Sequence, residues 1–179
     1  MSRVREWIPV STSPKGRLAL SAVKEFGGRP FDEVTVAELA TAANVTTGAL
    51  YHHFGSKLGL YAFVREDVER RLLDRMEGAV AASGPESDRA AAVTAALLVG
   101  LDFAVREGFL RILGDPPAGT EHDRLAEMLS GSAVPATPLL GRVLAAVWRA
   151  ALAAIAEGAE PEHARAAIAA LRLHLPDGE

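Results

Sequence analysis

The stretch Thr35 to Leu60, TVAELATAANVTTGALYHHFGSKLGL, decides how the chain is read. Thr35 and Glu38 stand in the S/T-x-x-E spacing of a capping box, in which hydroxyl and carboxylate satisfy the free amides of a helix start. Val36, Leu39, Ala40 and Ala43 follow at 3/4 spacing and make one apolar stripe. Asn44 tolerates a left-handed backbone and can end a helix sharply. Thr46 can cap a second helix with Ala49, Leu50 and Phe54 as its apolar positions. Two short helices joined by such a turn read as a helix-turn-helix, whose second helix lies in the major groove.

The second helix presents Thr46, Thr47, Gly48, Tyr51, His52 and His53 outward, with no acid among them. Hydroxyls, imidazoles and a phenol can bond base edges or phosphate oxygens, and Gly48 permits close approach. Lys57 opens the next helix, where its charge opposes the helix dipole and a docked phosphate would answer both. Taken singly, each of these residues suits a solvated surface helix as well. The order and spacing favour the nucleic-acid reading.

With these residues in view the chain resembles the tetracycline-repressor (TetR) family of bacterial transcription regulators. The resemblance covers Lys15 to Leu60: the first-helix pattern Leu18, Ala22, Phe26, Gly28, the Thr-Val-x-x-Leu-Ala start, and above all Leu50-Tyr51-His52-His53-Phe54-x-Ser56-Lys57. Asn44 stands where the family usually has Gly, and Gly59 where a Glu is common. The resemblance implies an all-α homodimer with a DNA-binding head at 13–60 and a helical ligand-binding and dimerisation domain at 61–179. It implies a regulator, expected to be a repressor released from its operator by a small-molecule effector. Thr46, Thr47, Gly48 and His52 would face bases, and Thr35, Tyr51, His53 and Lys57 would hold phosphates.

Bulk properties agree. The 179 residues suffice for one large or two small domains, and no cysteine is present, which excludes disulfides, thiolate metal sites and cysteine nucleophiles. Residues 1–60 hold seven Lys and Arg against five Asp and Glu (+2); the rest hold twelve against eighteen (−6). A basic head on an acidic partner domain fits. No apolar run is expected to reach a membrane span of about 18 residues, and Met1 to Glu6 lacks a signal-peptide core, so a cytoplasmic protein is expected.

Outward from the central stretch, Arg3 and Arg5 lie in an N-terminal arm that could reach a minor groove or simply be a tail. Ser13 and Pro14 start a first helix whose stripe is Leu18, Ala19, Ala22, Val23 and Phe26, stopped by Gly27-Gly28. A long fourth helix is expected from Lys57 to about Ala82, a fifth from about Glu86 to Arg106, a short one over Phe109–Leu113, and one after Thr120 and Asp123. The last two, Leu139–Glu157 and Glu162–Leu175, form an amphipathic pair. Their apolar faces, Leu140, Val143, Leu144, Val147, Ala151 and Ile155 with Ala164, Ala167, Ile168 and Leu171, could be covered by their own domain or by a twin in a four-helix bundle; the resemblance implies the twin.

No catalytic set, metal site or cofactor motif is legible, and no enzyme is expected. His122-Asp123 lacks a second ligand at i+4, and Asp123 is better explained as a helix cap. Candidate pocket residues are Leu72, Met76, Leu97, Gly100, Leu101, Phe103, Ala104, Leu110, Met128, Leu129 and Trp148, with Asp102, Arg106, Arg111, Thr94 and His122 as polar contacts. The same set serves equally as ordinary core. Two other readings stay open: a regulator without an effector, and a small-molecule-binding helical protein whose head only resembles a DNA reader.

Overall fold

A computed structural model describes residues 12–84, 88–116, 123–133, 138–171 and 173. Helix α1 (Pro14–Gly28) starts at Ser13, whose hydroxyl accepts from the Gly16 amide, with Pro14 at the first helical position. It ends at Arg29, just past the two glycines expected to stop it. A 3-10 turn (Phe31–Glu33) leads to α2 (Val36–Ala42), then α3 (Thr47–Phe54), and α4 runs from Lys57 to Ala82, over the expected span. Beyond it come α5 (Arg89–Glu107), α6 (Leu110–Gly114), α7 (Arg124–Ala133), α8 (Pro138–Ala156) and α9 (Pro161–Ala169). Every element among the described residues is helical, so the fold is all-α.

The chain divides into two compact units, residues 1–68 and 69–179, with α4 contributing to both. The expected boundary at 60/61 falls earlier in the same helix.

The head closes over one small core. Leu18, Ala22 and Phe26 from α1 meet Val34, Leu39, Ala40, Leu50, Leu60 and Val64, each almost fully buried. Burying one such leucine or phenylalanine side chain is worth about 1.5–3 kcal/mol. Phe26, Phe31 and Tyr61 form a ring triangle with centroids 5.1–5.6 Å apart, which fixes the connection between α1 and α2 against the start of α4.

The second unit is built around α5 and α8. The Trp148 indole is fully buried and donates Nε1–H to the Leu97 carbonyl at 3.0 Å. At Gly100 the backbone comes so close to α4 that an added Cβ would lie 2.9 Å from Met76 Sδ and 3.1 Å from Leu72 Cδ1. Asp123 caps α7 by accepting from the Ala126 amide at 3.2 Å, as its position suggests. Its carboxylate also takes a two-pronged guanidinium from Arg149 on α8, at 2.6 and 2.8 Å.

Two expectations are corrected. First, Leu139–Ala156 in α8 is 18 residues long with mean hydropathy 1.7, so an apolar run of spanning length does exist. By length and composition alone it could cross a membrane. Here Leu144, Ala145, Trp148 and Leu152 are instead buried inside the unit, and Arg149 on the same helix binds Asp123. Second, α9 stops at Ala169 rather than Leu175. Its last turn tightens, with the Leu171 amide bonded to the Ile168 carbonyl, and no glycine or asparagine announces the stop. Leu171 therefore lies past the helix, and Leu175 lies outside the described residues.

Candidate nucleic-acid interface

Local chemistry sets α2 and α3 at a fixed turn. The capping box forms as its spacing requires: Thr35 Oγ1 accepts from the Glu38 amide at 3.2 Å, and Glu38 Oε2 accepts from the Thr35 amide at 2.8 Å. Asn44 then adopts φ 51°, the one positive φ outside glycine among the described residues, and the chain reverses. The Val45 amide closes the turn onto the Ala40 carbonyl at 2.9 Å. Thr46 caps α3 by accepting from the Ala49 amide at 3.2 Å.

The outer face of α3 is as its sequence suggests. Thr46, Thr47, Gly48 and His52 are exposed, Tyr51 is 54% exposed, and His53 is half-buried, while Leu50 anchors the helix beneath them. The Thr46 hydroxyl serves its own helix only as an acceptor, so its proton is left to donate outward. A Cβ at Gly48 would meet nothing nearer than Thr46 Oγ1 at 3.7 Å. Internal packing therefore does not require glycine there. The bare backbone is an outward-facing feature.

Two residues expected to hold phosphates have other work. Thr35 gives its hydroxyl proton to Glu38 Oε2 at 2.7 Å, so both its donors are turned onto that carboxylate. A phosphate at the start of α2 would meet the backbone amides of Val36 and Ala37 instead. Lys57 donates to the Phe31 and Val34 carbonyls at 2.9 and 2.8 Å, with its ammonium 4.1 Å from the Phe31 ring centre. One of its three protons remains. Its larger role is to tie the start of α4 to the loop that delivers Thr35. Spacing in the sequence could not show either partner, because each bond joins residues 23 or 26 positions apart.

The same holds for other cations of the head. Lys15 sits over the Phe54 and Phe63 rings, 5.8 and 5.0 Å from their centres. Arg29 pairs with Glu25 and Glu38 at 3.2 and 3.1 Å. The Arg29 guanidinium, followed by the Thr35 hydroxyl and amide, holds the Glu38 carboxyl down at about 2. Arg17 reaches the turn between α2 and α3. Sequence reading assigned it no role, although a lone arginine on the buried side of α1 was the available signal.

In the second unit the pocket candidates Leu72, Met76, Leu97, Leu101, Phe103 and Trp148 are buried among one another, and Leu110 and Met128 are half-buried. His122 lies outside the described residues, as do Arg3 and Arg5. The polar candidates already have partners. Asp102 binds Arg165, Arg106 binds Glu107, the Arg111 guanidinium donates to the Ala156 carbonyl, and the Thr94 hydroxyl donates to the Ala90 carbonyl. The expected pairing face also splits. Leu144, Ala164 and Ile168 are buried within their own unit and are not available to a twin. Val143 (49% exposed), Val147 (39%) and neighbouring Leu139 (64%) face outward on α8, as does Ala167 on α9. Leu140, Ala151, Ile155 and Leu171 are intermediate. Val143 and Leu144 are adjacent in sequence and so point about 100° apart around a helix of 3.6 residues per turn; the two belong to different faces.

Residues 20–63 match the family model described as bacterial regulatory proteins, tetR family. No curated protein sequence matches the chain. Among solved structures, a TetR-like transcriptional regulator from Rhodococcus sp. RHA1 is similar at 22% identity and TM-score 0.64, over 90% of this chain and 93% of that one. A TetR-family transcriptional regulator from Pectobacterium atrosepticum is similar at 25% identity and TM-score 0.63, over 87% of this chain and 89% of that one. The head thus carries the tetR-family pattern over residues 20–63, and the chain shares its fold with solved regulators of that family over about nine-tenths of its length.

Proposed function

We propose that the chain is a homodimeric transcriptional repressor that reads an operator with α3 and leaves it when a small molecule binds the second unit. The observation that carries the DNA half is the outward face of α3: Thr46, Thr47, Tyr51 and His52 stand exposed around the bare Gly48. Thr46, Thr47, Gly48 and His52 are assigned to base edges. Tyr51, His53, the remaining proton of Lys57 and the free amides at the start of α2 are assigned to phosphates. The dimer is supported by the exposed Leu139, Val143 and Val147, a stripe that a second copy would cover while presenting two heads to two half-sites. An effector would act through whatever difference in affinity it has for the operator-fitting and non-fitting states, with α4, shared by both units, as the coupling element. A DNA-bound role places the protein in the cytoplasm.

The test is binding of the purified protein to a labelled fragment of its own upstream DNA, against scrambled competitor, over a salt series. One dimer per site, preference for the natural fragment, and a weakening with salt are expected. Tyr51→Ala should lower operator affinity about ten-fold or more with the fold intact, since it removes an exposed side chain. Unchanged affinity would falsify the assignment of α3.

A further inference from the structure

The geometry points to Arg17 as the residue that sets the angle of the helix-turn-helix, and through it the specificity of operator binding. This rests on the DNA reading of the head. Arg17 sits on α1, outside the helix-turn-helix, yet its guanidinium spans the turn. Nε donates to the Ala43 carbonyl at 2.9 Å, Nη2 to the Asn44 carbonyl at 3.4 Å, and Nη1 back to the Thr12 carbonyl at 2.7 Å. The last carbonyls of a helix have no partners within it, and α2 is only seven residues long. One turn further along α1, Ser21 donates to the Leu39 carbonyl at 3.3 Å. Arg17 therefore takes the carbonyl at the C-cap of α2, and Ser21, at i+4 on the same side of α1, adds a second donor to a Leu39 carbonyl already held by the Ala43 amide.

The consequence falls on α3. Asn44 is the hinge where the backbone turns left-handed, and three residues later α3 begins. A planar fork bonded to the Ala43 and Asn44 carbonyls, one on each side of that residue, ties down the two peptide planes that flank it. An ammonium carries rotatable donors on a flexible stem rather than a rigid planar fork, and so leaves the peptides it bonds freer to rock. Arg17 thus acts on base reading at a distance, by fixing the direction from which Thr46 and Gly48 enter the groove. Three of the five guanidinium N–H groups are engaged in this way.

The experiment compares wild type, Arg17→Lys and Arg17→Met. Wild type first selects its preferred duplex from a randomised pool, and each protein is then measured on that duplex and on a scrambled one across a salt series. Amide exchange is followed at Asn44 and Val45 in DNA-free protein. For Arg17→Lys, affinity for the selected duplex should fall about ten-fold, the effect of roughly one charge-assisted hydrogen bond. Scrambled affinity and the salt slope should hold, and exchange at Asn44 and Val45 should quicken relative to Leu18–Ala22. If Lys restores wild-type affinity while Met lowers the salt slope by about one phosphate contact per head, Arg17 is an ordinary phosphate ligand and the inference fails. It fails equally if both variants lower only the melting temperature and leave selected-duplex affinity intact. If wild type selects no sequence, the DNA reading is lost, and exchange alone decides: faster exchange at the turn upholds the positioning role, and unchanged exchange overturns it.

Discussion

The two units keep their polar groups satisfied in different ways. In the head, helix starts are closed by side chains three residues away: Ser13 on Gly16, Thr35 on Glu38, Thr46 on Ala49, Ser56 on Gly59. In the second unit the prominent bonds join distant positions: Arg149 to Asp123 across 26 residues, Arg111 to Ala156 across 45, Trp148 to Leu97 across 51, and Arg165 to Asp102 across 63. The first kind of bond is a sequence pattern. The second exists only once the fold has formed. Local capping costs little chain entropy and fixes helix boundaries, whereas long-range bonds determine which helix faces which.

The largest test of this contrast is Trp148→Ala. The indole fills a fully buried position and occupies the Leu97 carbonyl, so its loss should destabilise the protein by about 3–5 kcal/mol in equilibrium denaturation. A cost below about 1 kcal/mol would mean that the ring borders open space. That result would favour the pocket-lining role that the sequence leaves open for Trp148.

That contrast also sorts what was legible in advance. The helix-turn-helix, its caps, the left-handed Asn44 and the limits of α4 follow from residue type and spacing over three or four positions. What escaped was long-range, even inside the head. Lys57 reads as a free cation until the fold brings the Phe31 and Val34 carbonyls to it, and Arg17 is mute until α2 ends beside it. In the second unit, 3.6-residue periodicity found α8 but put Val143 and Leu144 on one face, although one is outward and the other buried. The end of α9 carries no stop residue, so the pattern overran it.

Next in size is Arg149→Met. Its side chain is 10% exposed and that of Asp123 23%, and the substitution leaves the carboxylate half-buried without its partner. A loss of about 1–3 kcal/mol is expected, below the value for a fully buried pair because water still reaches Asp123. Burial pushes the Asp123 carboxyl up, and the Arg149 fork with the Ala126 and Leu125 amides more than reverses this, so the net shift is downward. A depressed carboxyl stabilises above its unfolded value and loses that contribution as pH falls through its folded one. In Arg149→Met, burial acts with less opposition and the folded carboxyl moves up, so the variant's deficit should be full near neutrality and shrink as pH falls and the unpaired carboxylate takes a proton. An unchanged acid profile would show that the α7 cap amides alone hold the charge.

A smaller effect, of opposite sign, is expected at Asn44. Its φ of 51° is tolerated by asparagine but costs glycine nothing, and Asn44→Gly should raise stability by about 0.5 kcal/mol. A net loss would mean that the asparagine side chain contributes to the turn beyond its backbone tolerance. It would also move the turn from purely local chemistry toward the long-range kind.

The smallest effect should come from the most legible bond. Glu38 lies on the surface, its carboxyl held down at about 2 by Arg29 first and Thr35 second, against an ordinary value of 4.5. The sign follows from the lowering: the unfolded chain binds the proton more readily, so acid favours unfolding. The contribution is whole above about 4.5 and drains away between there and about 2. Solvent and salt screen an exposed pair, so the effect on the melting temperature should be slight and should shrink further in high salt. Glu38→Gln keeps a side-chain acceptor for the Thr35 amide but cannot form the ion pair with Arg29. It should therefore flatten the acid limb of the head's melting curve in that window while leaving the curve near neutrality almost unmoved. A large loss near neutrality would show that the ion pair, rather than the hydrogen-bonded cap, holds the start of α2. The capping box would then no longer stand as the local half of the contrast.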